Sequence, residues 1–164
     1  PGYFCAQLLG AMLGSWLAYI TYIDHYRLTK DEEIIRGTFC TGPAVRNLKN
    51  NFFSEFIGTF MLVFGVLFIV GPNIEISGSE IQNFGLGSLD ALPDGILVWL
   101  MGIALGGTTG YAINPARDFG PRLVYSFLPR KNKDADWKYS WIPVIGPLVG
   151  GTTAGLIYGI LVNI

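Results

Sequence analysis

Four long stretches almost without charge constrain this chain more than any other feature. Residues 2–23, 95–112 and 141–164 contain no Asp, Glu, Lys or Arg, and residues 52–70 contain only Glu55. At a rise of 1.5 Å per residue, about 20 apolar residues carry a helix across a hydrocarbon core of ~30 Å. Each stretch is therefore predicted to be a full membrane span. Period-2 alternation is absent, and a barrel would need about eight alternating segments of ~10 residues. A soluble helical core is excluded too, because four such stretches leave too few polar residues to cover a water-facing surface. The predicted fold class is an all-α membrane protein, one transmembrane domain over residues 1–164 with four spans in the lipid bilayer.

Composition agrees. Charged residues make up 14% of the chain, against about 25% in ordinary soluble domains. Eleven Lys and Arg oppose twelve Asp and Glu for a net charge of -1, so there is no basic footprint for nucleic acid. The 22 glycines follow no three-residue period and sit inside apolar stretches, which excludes collagen and disorder. Cys5 in a span and Cys40 in a loop give neither a disulfide framework nor a metal pair, and packing is the expected role of both. No cofactor is implied. The chain opens at Pro1 with no visible secretory signal, and the expectation is a piece of a longer protein.

The connections differ. Residues 24–50 read as a polar loop, residues 72–94 carry Glu75, Glu80, Asp90 and Asp94 without Lys or Arg, and residues 113–140 open semi-apolar before turning basic. In that last segment, Asn114-Pro115-Ala116-Arg117-Asp118 starts a helix by local physics alone. Asn is a preferred N-cap, Pro suits the first helical position, and an acid in the first turn suits the helix dipole. The helix is expected over 114–127, ending before Pro129, too short to span. A half-helix after a glycine-rich span end (Gly106, Gly107, Gly110) fits a re-entrant segment, which lipid tolerates only where protein or water surrounds it. Asn114 would cap with its carbonyl and leave its amide NH2 free to donate.

Arg117 would then be a permanent cation at membrane depth, a functional hypothesis by default. Asp118 is expected to pair forward with Arg122 at four residues' spacing, leaving Arg117 facing a polar passage. Two roles are open for Glu55: an acceptor for irregular backbone N–H groups, or a proton relay. A relay wants a second titrating group at depth, and the single His25 lies in a charged loop, which favours the acceptor.

The run Gly110-Tyr111-Ala112-Ile113-Asn114-Pro115-Ala116-Arg117-Asp118-Phe119-Gly120-Pro121-Arg122 closely resembles the second signature of the major intrinsic proteins, the aquaporins and glycerol facilitators. SEFIGTFMLVFG from Ser54 and IGPLVG from Ile145 resemble that family's fourth and sixth spans. The resemblance implies an aquaporin-like helical bundle holding the last span of the first inverted repeat and all of the second, with the first Asn-Pro-Ala motif upstream of Pro1. By position it implies that Asn114 is the midplane donor of the motif Asn114, Pro115, Ala116. Arg117 would be the arginine of the outer constriction, Tyr111 its aromatic wall, and Gly102 the small residue replacing the histidine of strict water channels. Tyr111, Gly102, Asp118, Arg122 and Pro143-Val144 all resemble the glycerol branch, the aquaglyceroporins. The loop 37–43 lacks the aromatic that many glycerol channels carry there, which implies passage of water as well as glycerol and other small neutral solutes. A plasma-membrane location and a homotetramer are further implications.

Three rivals remain: a strict water channel, which would want His at Gly102; an ion-coupled secondary transporter, which would want buried titrating pairs beyond Glu55; and a structural junction protein without flux. An enzyme is disfavoured, because no nucleophile, base and orienting group occur together. Close helix packing is expected from Gly10 and Gly14 and from Gly151, Gly155 and Gly159, each set spaced four apart. Orientation is contested. Positive-inside logic would place the loops carrying Arg27, Lys30, Arg36, Arg46, Lys49 and Arg117, Arg122, Arg130, Lys131, Lys133, Lys138 in the cytoplasm, whereas the family resemblance implies that they lie outside, which is the orientation expected here because the first helices of such a protein usually dominate topology.

Overall fold

A computed structural model describes residues 1–69, 73–74, 82–83 and 87–164 of the chain. Four of its helices are long and apolar enough to cross a membrane: α1 (Gly2–Thr21), α4 (Leu48–Phe68), α5 (Leu92–Thr109) and α7 (Ile142–Val162). Between them lie the short α2 (Ile23–Leu28), α3 (Glu32–Phe39) and α6 (Pro115–Phe127). A two-residue antiparallel pair, Asn73–Ile74 with Gln82–Asn83, is too small to form a layer. The architecture is all-helical. Glu75 and Glu80 of the acidic connection, and Val70 at the end of the second predicted span, lie outside the described residues.

The spans depart from the charge-free runs at their ends for local reasons. The second begins at Leu48 instead of residue 52, because Asn47 caps it by accepting from the Asn50 N–H at 3.2 Å. The helix thus takes in Lys49, which a helix end at the interface tolerates. The first span stops at Thr21, short of Ile23. The third starts at Leu92 with Pro93 in its first turn and ends at Thr109, short of Ala112, because Gly110 turns left-handed at φ 76°. That conformation stops a helix, and glycine adopts it without Cβ penalty. The fourth runs from Ile142 to Val162, inside the predicted 141–164.

The predicted polar loop 24–50 is largely folded. Asp31 caps α3 by accepting from the N–H groups of Glu33 (2.8 Å) and Ile34 (3.3 Å). Ile35 and Phe39 turn inward to join Tyr19, Val124, Tyr125 and Leu128 in a small core. Arg130 donates to both carboxylate oxygens of Glu32 and to the Tyr26 carbonyl, tying α2 and α3 to the chain after α6.

The most extensive helix pairing joins α4 to α7, followed by α1 with α6. Glycines make both possible, chiefly Gly146 and Gly150 of α7 and Gly120 of α6. A methyl at Gly150 would lie 2.3 Å from the Phe56 carbonyl oxygen, and one at Gly146 2.9 Å from Glu55 Cβ. Gly120 of α6 lies against Leu8 and Ala11 of α1 in the same way. Among the described residues, a methyl at Gly10, Gly14, Gly155 or Gly159 would meet no atom within 4 Å, and one at Gly151 would make ordinary contact with Val63 and Thr59 of α4. The outward faces of the spans are apolar, with Trp99, Ile103, Leu156 and Ile160 all exposed. A surface of that kind suits lipid.

Candidate functional site

The site is built where α5 ends and α6 begins. After Gly110, Tyr111 (φ 40°) and Ile113 (φ 42°) also take left-handed backbone angles, which cost a residue with a Cβ on the order of 1–3 kcal/mol each. Glu55 holds this turn. Its carboxylate, 1% exposed, accepts from Thr109 Oγ1 (2.6 Å), the Ala112 N–H (3.0 Å) and the Ile113 N–H (2.8 Å). Three donors compensate a buried carboxylate that would otherwise be costly at membrane depth.

Asn114 then returns to extended backbone (φ -153°) and caps α6, its Oδ1 accepting from the Ala116 N–H at 2.9 Å. Pro115 occupies the first helical position. At 13 residues α6 is roughly 20 Å long, well short of a ~30 Å hydrocarbon core.

Asp118 and Arg122 form the expected pair at 2.7 Å, both side chains fully buried. Their further partners come from far along the chain. Asp118 Oδ2 accepts from the Thr41 N–H and Thr41 Oγ1, both at 2.7 Å. Arg122 donates to the carbonyls of Thr41 (2.8 Å), Ala135 and Asp136 (3.2 Å). The pair therefore clamps the segment after α3 onto the half-helix. That segment supplies the partner of Arg117, whose Nη1 donates to the Phe39 carbonyl at 3.4 Å.

Among the described residues, every other arginine has a carboxylate partner: Arg27 with Asp24, Arg36 with Glu33, Arg46 with Asp136, Arg122 with Asp118 and Arg130 with Glu32. Arg117 has a backbone carbonyl instead, which orients the guanidinium without neutralising it. Arg117 and Asn114 line one cavity of about 490 Å³, together with Gln7, Ser15 and the Phe39 segment. A second cavity, of about 250 Å³ and walled by Phe4, Cys5, Leu8, Phe119 and Val144, lies on the other side of Pro115 and Ala116. Cys5 is thus exposed toward an apolar space instead of packed in a core, whereas Cys40 is buried. Burial pushes the Cys40 thiol up to about 11.

Tyr111 and Gly102 form a separate pair outside the Asn114–Arg117 cavity. The Tyr111 ring lies on Gly102, where a methyl would come within 3.2 Å of Cζ. Among the described residues, no group of three or more His, Cys, Asp or Glu side chains is arranged to hold a metal ion. Thr41, Thr109 and the Phe39 carbonyl escaped the sequence reading. Each acts through a partner 54 to 78 positions away, and no local pattern marks them.

Four helices long and apolar enough to cross a membrane, a strained turn held by a buried carboxylate and a capped helix too short to span define an all-helical membrane protein. The chain belongs to the major intrinsic protein family, whose model matches residues 1–158. It is a multi-pass plasma-membrane protein, and channels of this family are transporters rather than enzymes. A probable glycerol uptake facilitator protein of Thermotoga maritima is 48% identical over 159 residues, covering 96% of this chain and 63% of the relative. A glycerol uptake facilitator protein of Bacillus subtilis is 45% identical, over 96% of this chain and 54% of the relative. The X-ray structure of the aquaglyceroporin from Plasmodium falciparum superimposes with a TM-score of 0.72 at 30% identity, covering 95% of this chain and 61% of that one. The chain thus spans between half and two thirds of the length of these relatives.

Proposed function

We propose that this chain forms part of a passive channel for glycerol and other small neutral solutes, passing water as well and catalysing no reaction. The observation that carries the reading is Arg117, a guanidinium without an ion pair among the described residues, sharing a cavity with the free amide end of Asn114. A solute hydroxyl can accept from Arg117 and then from Asn114 in that cavity, and the Tyr111 ring, outside it, is read as a separate apolar wall further along the same passage. Gly102 leaves that ring space. Donors of this kind replace water without gripping the solute, as conduction requires. The unpaired cation and the positive end of α6 repel cations, including a proton carried on water. Glu55, Asp118 and Arg122 act as the supporting frame. The names of the relatives support glycerol as the solute, and a homotetramer with one passage per subunit is part of the same reading.

Light scattering of proteoliposomes carrying the full-length protein after an osmotic step tests it. Glycerol and water permeabilities should both rise well above those of empty vesicles. In Arg117→Ala, exclusion of ions or protons should relax. Vesicles no more permeable to glycerol than empty ones would overturn the glycerol reading, and unchanged selectivity in Arg117→Ala would remove the arginine from it.

A further inference from the structure

The Tyr111 ring rests on two glycines of α5, one helical turn apart. A methyl at Gly102 would stand 3.2 Å from Cζ, 3.3 Å from Cε2 and 3.5 Å from the hydroxyl oxygen. One at Gly106 would stand 3.2 Å from Cδ1 and 3.6 Å from Cε1. Carbon atoms are in comfortable contact at about 3.5–4.0 Å, so each glycine leaves out the very atom that the ring would press against. Gly102 receives the tip of the ring and Gly106 its base.

From these contacts we propose that Gly106 is a positioning residue for solute selection, setting how far the Tyr111 ring stands out from α5. The proposal rests on the reading of Tyr111 as a wall of the solute passage. The backbone around Tyr111 has little freedom to absorb a clash. The Gly110 N–H donates to the Gly106 carbonyl at 3.0 Å, and the Ala112 and Ile113 N–H groups are held by Glu55. The Tyr111 backbone is thereby fixed on both sides. A methyl at Gly106 moves the ring by rotating it away from α5, toward its open side, where 37% of the residue is exposed. Cδ1 lies near the pivot, so a displacement of a few tenths of an ångström there grows toward the hydroxyl. The neighbouring Gly107 supplies the control, because a methyl there meets no atom within 4 Å among the described residues.

The experiment compares Gly106→Ala and Gly107→Ala, each with Tyr111 present and in a Tyr111→Ala background. Two quantities are read. The first is the ratio of glycerol to water permeability in proteoliposomes. The second is the ring resonance of Tyr111 in ¹³C-tyrosine-labelled protein, assigned with Tyr111→Phe, which needs no flux. Gly106→Ala should shift the ring resonance and lower the permeability ratio by roughly two- to tenfold, the population factor of a side chain forced off its rotamer well. Gly107→Ala should do neither, and the Gly106 effect on the ratio should vanish without the ring. The proposal is overturned if Gly106→Ala leaves the ring resonance in place, or if the ratio changes equally in the Tyr111→Ala background. A parent protein that passes no glycerol overturns the channel reading, and the ring resonance then decides the seat by itself. Should Gly106→Ala fail to fold, recovery of folding in the double variant identifies the ring as the obstacle, and failure of that recovery overturns the proposal.

Discussion

Replacing Glu55 by glutamine separates the charge of this side chain from its size. The carboxylate places two donors on Oε1, Thr109 Oγ1 and the Ala112 N–H, and one on Oε2, the Ile113 N–H. Glutamine has one oxygen. In its better orientation that oxygen keeps Thr109 and Ala112, while its NH2 meets the Ile113 N–H donor against donor. One bond to a charged acceptor, about 1.5–3 kcal/mol, is lost and the other two weaken by about 0.3–0.5 kcal/mol each, for a total of about 2–4 kcal/mol. The loss falls on a turn that already holds Tyr111 at φ 40° and Ile113 at φ 42°, so relaxation there moves both Tyr111 and the start of α6. At about 2–4 °C per kcal/mol for chains of this size, the unfolding midpoint in detergent should drop by roughly 4–16 °C. Glycerol and water permeabilities should fall together. A Glu55→Gln protein that melts and conducts like the parent would refute the reasoning, since the turn would then stand without the carboxylate. One that melts like the parent but changes only proton leakage would instead assign Glu55 to proton transfer.

Three further outcomes follow from the packing and the buried charges. Gly150→Ala sets a methyl 2.3 Å from the Phe56 carbonyl oxygen, so α4 and α7 must separate at a cost of about 1–3 kcal/mol; Gly155→Ala, with nothing within 4 Å, should be neutral or stabilising by up to about 1 kcal/mol. Equal melting of the two variants would contradict the close α4–α7 contact. Asp118→Ala leaves Arg122 buried without a counter-charge and strips Thr41 of its acceptor, and should cost about 3–5 kcal/mol, partly recovered by Arg122→Met; a loss below about 1 kcal/mol in thermal unfolding would count against the clamp. With its thiol pushed up to about 11 by burial, Cys40 is ionised at pH 8 to only about one part in a thousand, so maleimide should label it in unfolded protein and spare it in folded protein. Rapid labelling at pH 8 of folded protein carrying Cys5→Ser, which leaves Cys40 as the cysteine read among the described residues, would show the segment after α3 to be open.

The membrane spans were legible because partition into lipid is a sum over consecutive residues, and an unbroken apolar run carries that sum in itself. Their ends followed less closely, since they depend on single capping groups such as Asn47 and on the left-handed Gly110. The half-helix was legible for a local reason too: Asn114, Pro115 and Asp118 each favour a helix start and lie within its first turn. Helices α2 and α3 were hidden in a charged loop because their stability comes from Ile23 and Tyr26 of α2 and Ile35 and Phe39 of α3 meeting a core assembled with other helices. The glycines show the limit most clearly. Spacing four apart marks a face, but Gly155 and Gly150 differ only in what stands opposite, and spacing says nothing of that.

By itself, then, the sequence determined that this chain enters a membrane, how many times a helix can cross, and where a short capped helix begins with an arginine in its first turn. Tertiary structure alone decided which groups that arginine and its neighbours meet. Thr41 reaches Asp118 across 77 positions, Glu55 reaches Ala112 across 57, and the Tyr111 ring finds its seat on α5. Transfer into lipid depends on what each residue is, and is additive along the chain. A hydrogen bond or a ring contact depends on where two residues are, to within a few tenths of an ångström, and only the packed helices fix that.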